Sequence, residues 1–418
     1  MPTNRIAGPL TSEEASTLVD ASSYASAGYP HELWTRLRAE APLAYFETEQ
    51  FEPFWAVTKQ ADIREISSRA HPFSSARGVT VNAKGTPAYS SEVVLMLDPP
   101  DHGPLRRAAV RRFTPRPVEA RGHDIEQIVA EIVADVASET ADFDFVERVA
   151  APLPIAVISW ILGVPRDDWR LLYRWTNEVV GKDDPEFRRA GESPLDTVMR
   201  ARGEIQDYLT ELIETRRRDP RDDLVTYLLD AEVSGKPLTQ HQLVEYCEFL
   251  IEAGNETTRN AISGGLIGFA ENPDQWTRLR EEPNLLPAAV EEVLRWASPV
   301  IHLARVAVED TEIGGVQIPA GDKLALFYPS GNRDEDVFDE PFRFRIDRDP
   351  NHGFVFGFGE HYCMGVHVAR LEVAAIFRHL VERFESFEIT GPVERLSANM
   401  IGGIKRLPVR AHLTTSRT

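Results

Sequence analysis

Phe356 to Gly365 reads FGFGEHYCMG. Glycines at 357, 359 and 365 bracket one histidine, His361, and one cysteine, Cys363, with Phe356 at the start of the run. Each glycine costs backbone entropy on folding, so this density implies unusual φ angles or a close approach to the backbone. The residues that follow carry apolar side chains at three- and four-residue spacing and predict a helix over about Gly365–Phe384. Cys363 therefore stands at a helix entrance, where the positive end of the dipole favours a thiolate.

Three readings of the loop compete. A buried cysteine in a tight turn leaves the glycines unexplained. A zinc site built from His352, His361, Cys363 and His367 lacks the paired cysteine or histidine spacing of structural zinc. A thiolate ligand to haem iron accounts for all of it. A large planar macrocycle must approach the backbone, N–H groups near the sulfur tune its electron donation, and aromatic rings keep water away.

Composition bounds the alternatives. The chain has 418 residues and a formal net charge of −20, which argues against a nucleic-acid partner. No apolar run approaches the roughly 18–20 residues needed to span a bilayer, and the first residues show no signal core. The expectation is a cytoplasmic protein without a membrane anchor. Cys247, the only other cysteine, lies in a helical pattern and reads as a small buried hydrophobe. Against the acidic background Leu105–Arg121, LRRAAVRRFTPRPVEAR, holds Arg106, Arg107, Arg111, Arg112, Arg116 and Arg121 with Glu119 as its one acid. Such a patch suits an acidic partner or a bound anion.

Along the chain, residues 1–20 are polar and expected to be loosely ordered, and 21–418 read as one domain. Leu43–Phe46 and Phe54–Val57 are strand-like. From about Pro117 to Trp296 the pattern is mostly helical, clearest at Ile125–Ala137 and Tyr208–Arg218. His302–Ser330 alternates around a Gly-Gly turn and predicts short strands. The fold class is mainly α with a small β portion.

Phe249–Gly265, FLIEAGNETTRNAISGG, reads as mid-helix. Its small residues Ala253 and Gly254 leave room for something flat, and the adjacent Glu256 and Thr257 form an acid–alcohol pair suited to proton delivery. Glu292 and Arg295 lie at i, i+3 on one helix face, and the arginine-rich Phe338–Arg348 is placed to cap them.

Together these residues resemble the cytochrome P450 family over nearly the whole chain. Phe356, Gly357, Gly359, His361, Cys363 and Gly365 match its cysteine signature. AGNETT matches its oxygen-activating helix, Glu292 and Arg295 its E-x-x-R pair, and PFRF its P-x-R-F, which implies Arg343 as the third partner. DPPDHGPLRR implies His102 and Arg106 as propionate ligands, and Arg305 in HLARVA implies another. The resemblance implies a triangular helical prism, haem b (iron protoporphyrin IX) ligated by Cys363, and a monooxygenase. Glu256 and Thr257 would relay protons. His102, Arg106, Arg305 and His361 would supply cations to the propionates. Arg107, Arg111 and Arg112 would receive an acidic carrier, a ferredoxin with its NAD(P)H-dependent reductase, and the enzyme would be a monomer.

Alternatives are a peroxide-driven enzyme and a haem-binding sensor without chemistry. GNETTRNAISGG, NPDQW, HYCMG and GGIK resemble a bacterial branch that oxidises sterol side chains and terpenoids. A small apolar substrate is therefore expected, most simply a steroid or terpenoid, with a macrolide or other polyketide as the alternative. Apolar pocket segments are Val93–Met96, Pro299–Ile301 and Met400–Ile401. Two polar residues beside them, Glu252 and His302, either contact substrate or point elsewhere.

Overall fold

Alternating residues on either side of Gly314-Gly315 do form strands, and they connect distant parts of the chain. The main sheet of this computed structural model contains β1 (Leu43–Phe46), β2 (Phe54–Val57), β3 (Phe73–Ser74), β4 (His302–Ala307) and β5 (Lys323–Phe327). Their spatial order is β1-β2-β5-β4-β3. β5 runs parallel to β2, pairing Ala325 with Ala56, and the other pairs are antiparallel. Between β4 and β5, Thr311–Ile313 and Val316–Ile318 make a separate hairpin. Gly314 and Gly315 turn it with φ of +53° and +82°, consecutive positive values that side chains resist. The predicted strand stretch ends at Phe327. Tyr328–Gly331 turns helical, because Pro329 has no N–H to give a ladder. The structure describes residues 8–86, 92–139 and 141–414.

Helices form most of the molecule. Those that matter here are α1 (Ser12–Thr17), α2 (His102–Val110), α3 (Gly122–Ala137), α4 (Pro152–Leu162), α5 (Trp169–Val180), α6 (Pro194–Arg218), α7 (Gln240–Glu271), α8 (Leu286–Ala297) and α9 (Val366–Arg383). The 32 residues of α7 span about 48 Å at 1.5 Å per residue. Its start is fixed by a capping box, in which Thr239 Oγ1 accepts from the Gln242 amide and the Gln242 side chain accepts from the Thr239 amide. Helices α4, α5, α6, α8 and α9 all pack on α7, so it runs through the main core. A smaller sheet joins Phe384–Ile389, Pro408–Leu413 and Phe143–Asp144. Among the described residues no helix is long and apolar enough to cross a membrane.

The N-terminal stretch departs from expectation. Residues 1–7 lie outside the described residues, but Ser12–Thr17 is helical, closed by a capping box between Thr11 and Glu14. Ala15, Leu18 and Val19 are fully buried in a second core with Trp34 and Phe54. An apolar face this short gives too little periodicity to read against a polar background.

Candidate active site

The cysteine loop folds back on itself. The Cys363 N–H donates to the Phe356 carbonyl at 2.9 Å, and Gly359–His361 forms one tight helical turn. Gly357 and Gly359 both hold φ of +72°. A Cβ on Gly359 would also lie 2.1 Å from the Ser67 carbonyl oxygen, so backbone meets backbone there. Gly365, the residue before α9, has φ of −84°, and a Cβ on it would meet nothing within 4 Å. Neither strain nor the chain's own packing requires that glycine. Burial pushes the Cys363 thiol up, while a Gly365 amide hydrogen bond and the charges of Arg106 and Arg370 pull it down. Arg370 lies over the Phe356 ring at 4.9 Å and is held by Glu291 at 2.6 Å. Cys247 is fully buried in α7 and pushed up to about 12 by desolvation, as an inert core thiol should be. Among the described residues no three His, Cys, Asp or Glu side chains converge as metal ligands, which removes the zinc reading.

Beside the loop stands a cluster of two arginines and two imidazoles, with the Glu360 carboxylate 3.9 Å from His102 Nδ1. Arg305, on β4, is 3% exposed, and its guanidinium donates to the Ala304 carbonyl at 2.8 Å. Arg106, on α2, donates to the Tyr362 carbonyl at 2.5 Å. Among the described residues neither forms an ion pair. The His102 and His361 rings lie 4.3 Å apart. His361 Nε2 is 3.1 Å from Ser75 Oγ, whereas buried His102 Nε2 has no hydrogen-bond partner among the described residues. Burial, with the guanidinium charges nearby, drives His361 down to about 2 and lowers His102 as well. Arg106 and Arg305 bring the fixed charge, and the rings bring N–H donors.

The α7 residues divide between two faces. Tyr246 donates to Met364 Sδ at 4.0 Å, so its face looks at the cysteine loop. Ala253 is exposed in mid-helix, and Thr257, one turn on, is half-buried with its hydroxyl donating to the Ala253 carbonyl at 3.0 Å. These residues face a chamber between α7 and the loop. Gly254 does not. A Cβ on it would come within 3.1 Å of Ile158, so its bareness lets α4 approach α7. Glu256 also turns away. It is 1% exposed and ion-paired with Arg259, which donates to Asn177 Oδ1 at 2.7 Å. Adjacent helix positions diverge by about 100°, so the expected acid–alcohol pair is split between the α5 side and the chamber.

Glu292 and Arg295 are fully buried and bidentate, both bonds being 2.7 Å. The third partner is not Arg343. Its side chain is 61% exposed beside Glu340, and only its carbonyl accepts from Arg295, at 3.3 Å. Arg348 takes the role, its Nε 3.3 Å from Glu292 Oε2, helped by the Arg345 amide at 2.8 Å. Arg348 lies in the stretch expected to cap the pair, but nothing in residue spacing separates it from Arg343.

Two expected pocket segments meet: the Ile301 amide donates to the Met400 carbonyl at 2.8 Å, and Val300 bridges Ile401. His302 is fully buried in β4. Its Nε2 accepts from the Val81 amide at 3.2 Å, and its ring packs on Phe327. Its other ring nitrogen, Nδ1, has no hydrogen-bond partner among the described residues. Glu252 reaches α6, where Arg202 approaches it at 3.4 Å. In the basic segment Arg107, Arg111 and Arg116 are exposed. Arg112 is bound inward by Asp222 at 2.9 Å and by the Tyr227 ring, and Arg121 lies over Trp160.

A haem fits these residues. Cys363 is the one thiol that reaches the chamber, Gly365 leaves the loop bare, and a buried guanidinium with an orphaned imidazole nitrogen calls for carboxylates. The comparisons agree. The Cytochrome P450 family model matches residues 24–408. Linalool 8-monooxygenase of Pseudomonas putida is 37% identical over 393 residues, covering 91% of this chain and 95% of that protein. Steroid C26-monooxygenase of Mycolicibacterium smegmatis is 37% identical over 363 residues, covering 85% and 83%. The crystal structure of CYP108D1 from Novosphingobium aromaticivorans superposes with a TM-score of 0.88 at 31% identity, over 97% of this chain and 100% of that one. Thiolate loop, propionate cradle, split central helix and relatives agree, and the chain belongs to the cytochrome P450 family as a haem-thiolate monooxygenase.

Proposed function

We propose that the enzyme hydroxylates a small apolar molecule of the terpenoid or steroid class, using dioxygen and electrons from an external ferredoxin. The observation that carries the chemistry is the half-buried Cys363 with Arg106 beside it, Arg106 and Arg305 having no carboxylate ion pair among the described residues. Cys363 would hold the iron of haem b and Arg106, Arg305, His102 and His361 its propionates, and the group when bound would supply dioxygen activation for C–H hydroxylation, with two electrons from the carrier and two protons releasing the second oxygen as water. The Gly365 amide at the sulfur moderates the thiolate's donation. Thr257 Oγ1 holds a proton on the chamber face, donated to the Ala253 carbonyl, and rotation of the hydroxyl would turn that proton toward the chamber. Glu256 serves as a reserve acid behind it. Burial raises Glu256 against the pull of Arg259, so release from that ion pair must precede any proton transfer to the chamber.

The substrate class is supported by the apolar Val300, Ile301 and Ile401 brought together at β4, and by relatives named for linalool and for steroids. Ferredoxin dependence is supported by Arg107, Arg111 and Arg116, exposed on or just after the helix whose Arg106 touches the cysteine loop. The deciding experiment is turnover of a terpenoid and steroid panel with a surrogate ferredoxin, its reductase and NAD(P)H, beside the same panel with peroxide alone. Product only in the first arm supports the reading. Equal product with peroxide alone overturns the ferredoxin requirement.

A further inference from the structure

One carboxylate ties the cluster of arginines and imidazoles together. Asp98, just before α2, accepts from the Ser75 amide at 2.7 Å through Oδ1 and from the Ser74 hydroxyl at 2.5 Å through Oδ2. Its backbone carbonyl accepts from the His102 amide at 3.1 Å. Ser74 ends β3 and pairs with Val306 on β4, the residue after Arg305. Asp98 thus joins the strand edge next to Arg305 to the helix that carries His102 and Arg106. Both serines are buried, Ser75 completely. Asp98 Oδ2 takes the Ser74 hydroxyl, but the Ser75 hydroxyl goes elsewhere. It lies 3.1 Å from His361 Nε2, and each is the other's one side-chain hydrogen-bond partner among the described residues.

The direction of that bond follows from burial. A serine hydroxyl carries one proton, and each imidazole nitrogen either donates or accepts. Were His361 to donate through Nε2, the proton of the buried Ser75 hydroxyl would be left without an acceptor, which is costly. With Ser75 donating, both groups are satisfied, and the ring hydrogen must sit on the other nitrogen, since the bond at one nitrogen sets the state of its partner. We propose that Ser75, held by Asp98, is a positioning residue of the cradle: its hydroxyl donates to His361 Nε2 and so fixes the ring as the Nδ1–H tautomer, with that N–H free for a haem propionate. His102 has no such device. Its ring lies 4.3 Å from that of His361, but its Nε2 is unmet among the described residues. One imidazole of the two is therefore set before the cofactor arrives. The inference rests on the haem reading and goes beyond it to a residue that would touch neither haem nor substrate.

The tautomer can be read directly. Haem-loaded, ferrous–CO protein with isotope-labelled histidine nitrogens gives a nuclear magnetic resonance signal for each ring nitrogen, and His361→Gln identifies the His361 pair. In the wild type Nδ1 should carry hydrogen and Nε2 should be bare. Ser75→Ala removes the donor and should allow hydrogen on Nε2. It should also speed the loss of haem to excess apomyoglobin by about five- to tenfold, the worth of one hydrogen bond. Ser74→Ala loosens the same Asp98 contact without touching the ring, and should leave the tautomer as in the wild type. Hydrogen on Nε2 in the wild type, as the other tautomer or as imidazolium, overturns the inference and leaves the haem reading intact. So does a Ser75→Ala protein with unchanged nitrogen signals, or a Ser74→Ala protein that shifts them equally. Wild-type protein that takes up no haem and shows no ferrous–CO band overturns the haem reading and the inference together.

Discussion

At the scale of single residues, burial decides which charges matter. Glu292 and Arg295 were legible in the sequence as a pair; the third partner was not, because Arg343 and Arg348 differ in burial and not in kind. Breaking a buried ion pair from one side costs about 3–5 kcal/mol, since it strands the other charge. Arg348→Ala should therefore lower stability by about 3 kcal/mol in denaturant titration, and Arg343→Ala should stay within about 0.5 kcal/mol. Equal losses would return the role to Arg343. Glu372 on α9 is a second such residue. It is 3% exposed, burial alone pushes its carboxyl well above the ordinary range, and its Oε2 has no partner among the described residues. In the unfolded chain it ionises near 4.5, while in the fold burial holds its proton to higher pH. Between those values the native state binds more protons, so stability falls as pH rises, by up to about 1.4 kcal/mol per unit. Glu372→Gln should remove that slope. Its advantage over the parent should widen from pH 6 to pH 8 in thermal melts, and a gap that stays constant would show that Glu372 is already ionised in the fold.

At the scale of elements, the glycines of the cysteine loop were visible as a group, but their separate reasons needed the fold. Gly359 combines a positive φ with backbone contact to Ser67, a residue 292 positions away in the chain, so no local pattern could announce it. Gly254 was legible as a small residue and misread in direction, because periodicity gives a helix its faces and does not say which neighbour each face meets. The same limit hid the parting of Glu256 from Thr257. Gly359→Ala must both strain φ and drive a Cβ into the Ser67 carbonyl. The loop should lift from that segment, and the purified variant should lose most of its haem, read as absorbance per protein and as the ferrous–CO band. Gly365→Ala meets no protein atom within 4 Å and should fold with unchanged secondary structure by circular dichroism. If Gly359→Ala retains full haem, the close approach is not what positions Cys363.

At the scale of the whole molecule, a net charge of −20 makes the arginine patch the exception that an acidic carrier would find. The sequence showed the patch as one run of arginines, and the fold sorts it. Arg106 turns to the cysteine loop, Arg112 is taken by Asp222 and Tyr227, Arg121 stacks on Trp160, and Arg107, Arg111 and Arg116 remain at the surface. Reversing Arg112 would therefore break internal contacts as well as alter charge, and a loss of activity there would say little about docking. The triple variant Arg107→Glu, Arg111→Glu, Arg116→Glu touches no ion pair found among the described residues. Exposed charges are screened over about 8–10 Å at physiological ionic strength, so the effect must depend on salt. At low salt, ferredoxin-driven turnover should fall about tenfold or more through slower association. Substrate affinity and the ferrous–CO spectrum should not change, and the gap to the parent should close as salt is raised. Turnover that held at low salt would place the carrier on another face, and a loss that ignored salt would point to misfolding of the Arg111–Phe113 turn rather than to docking.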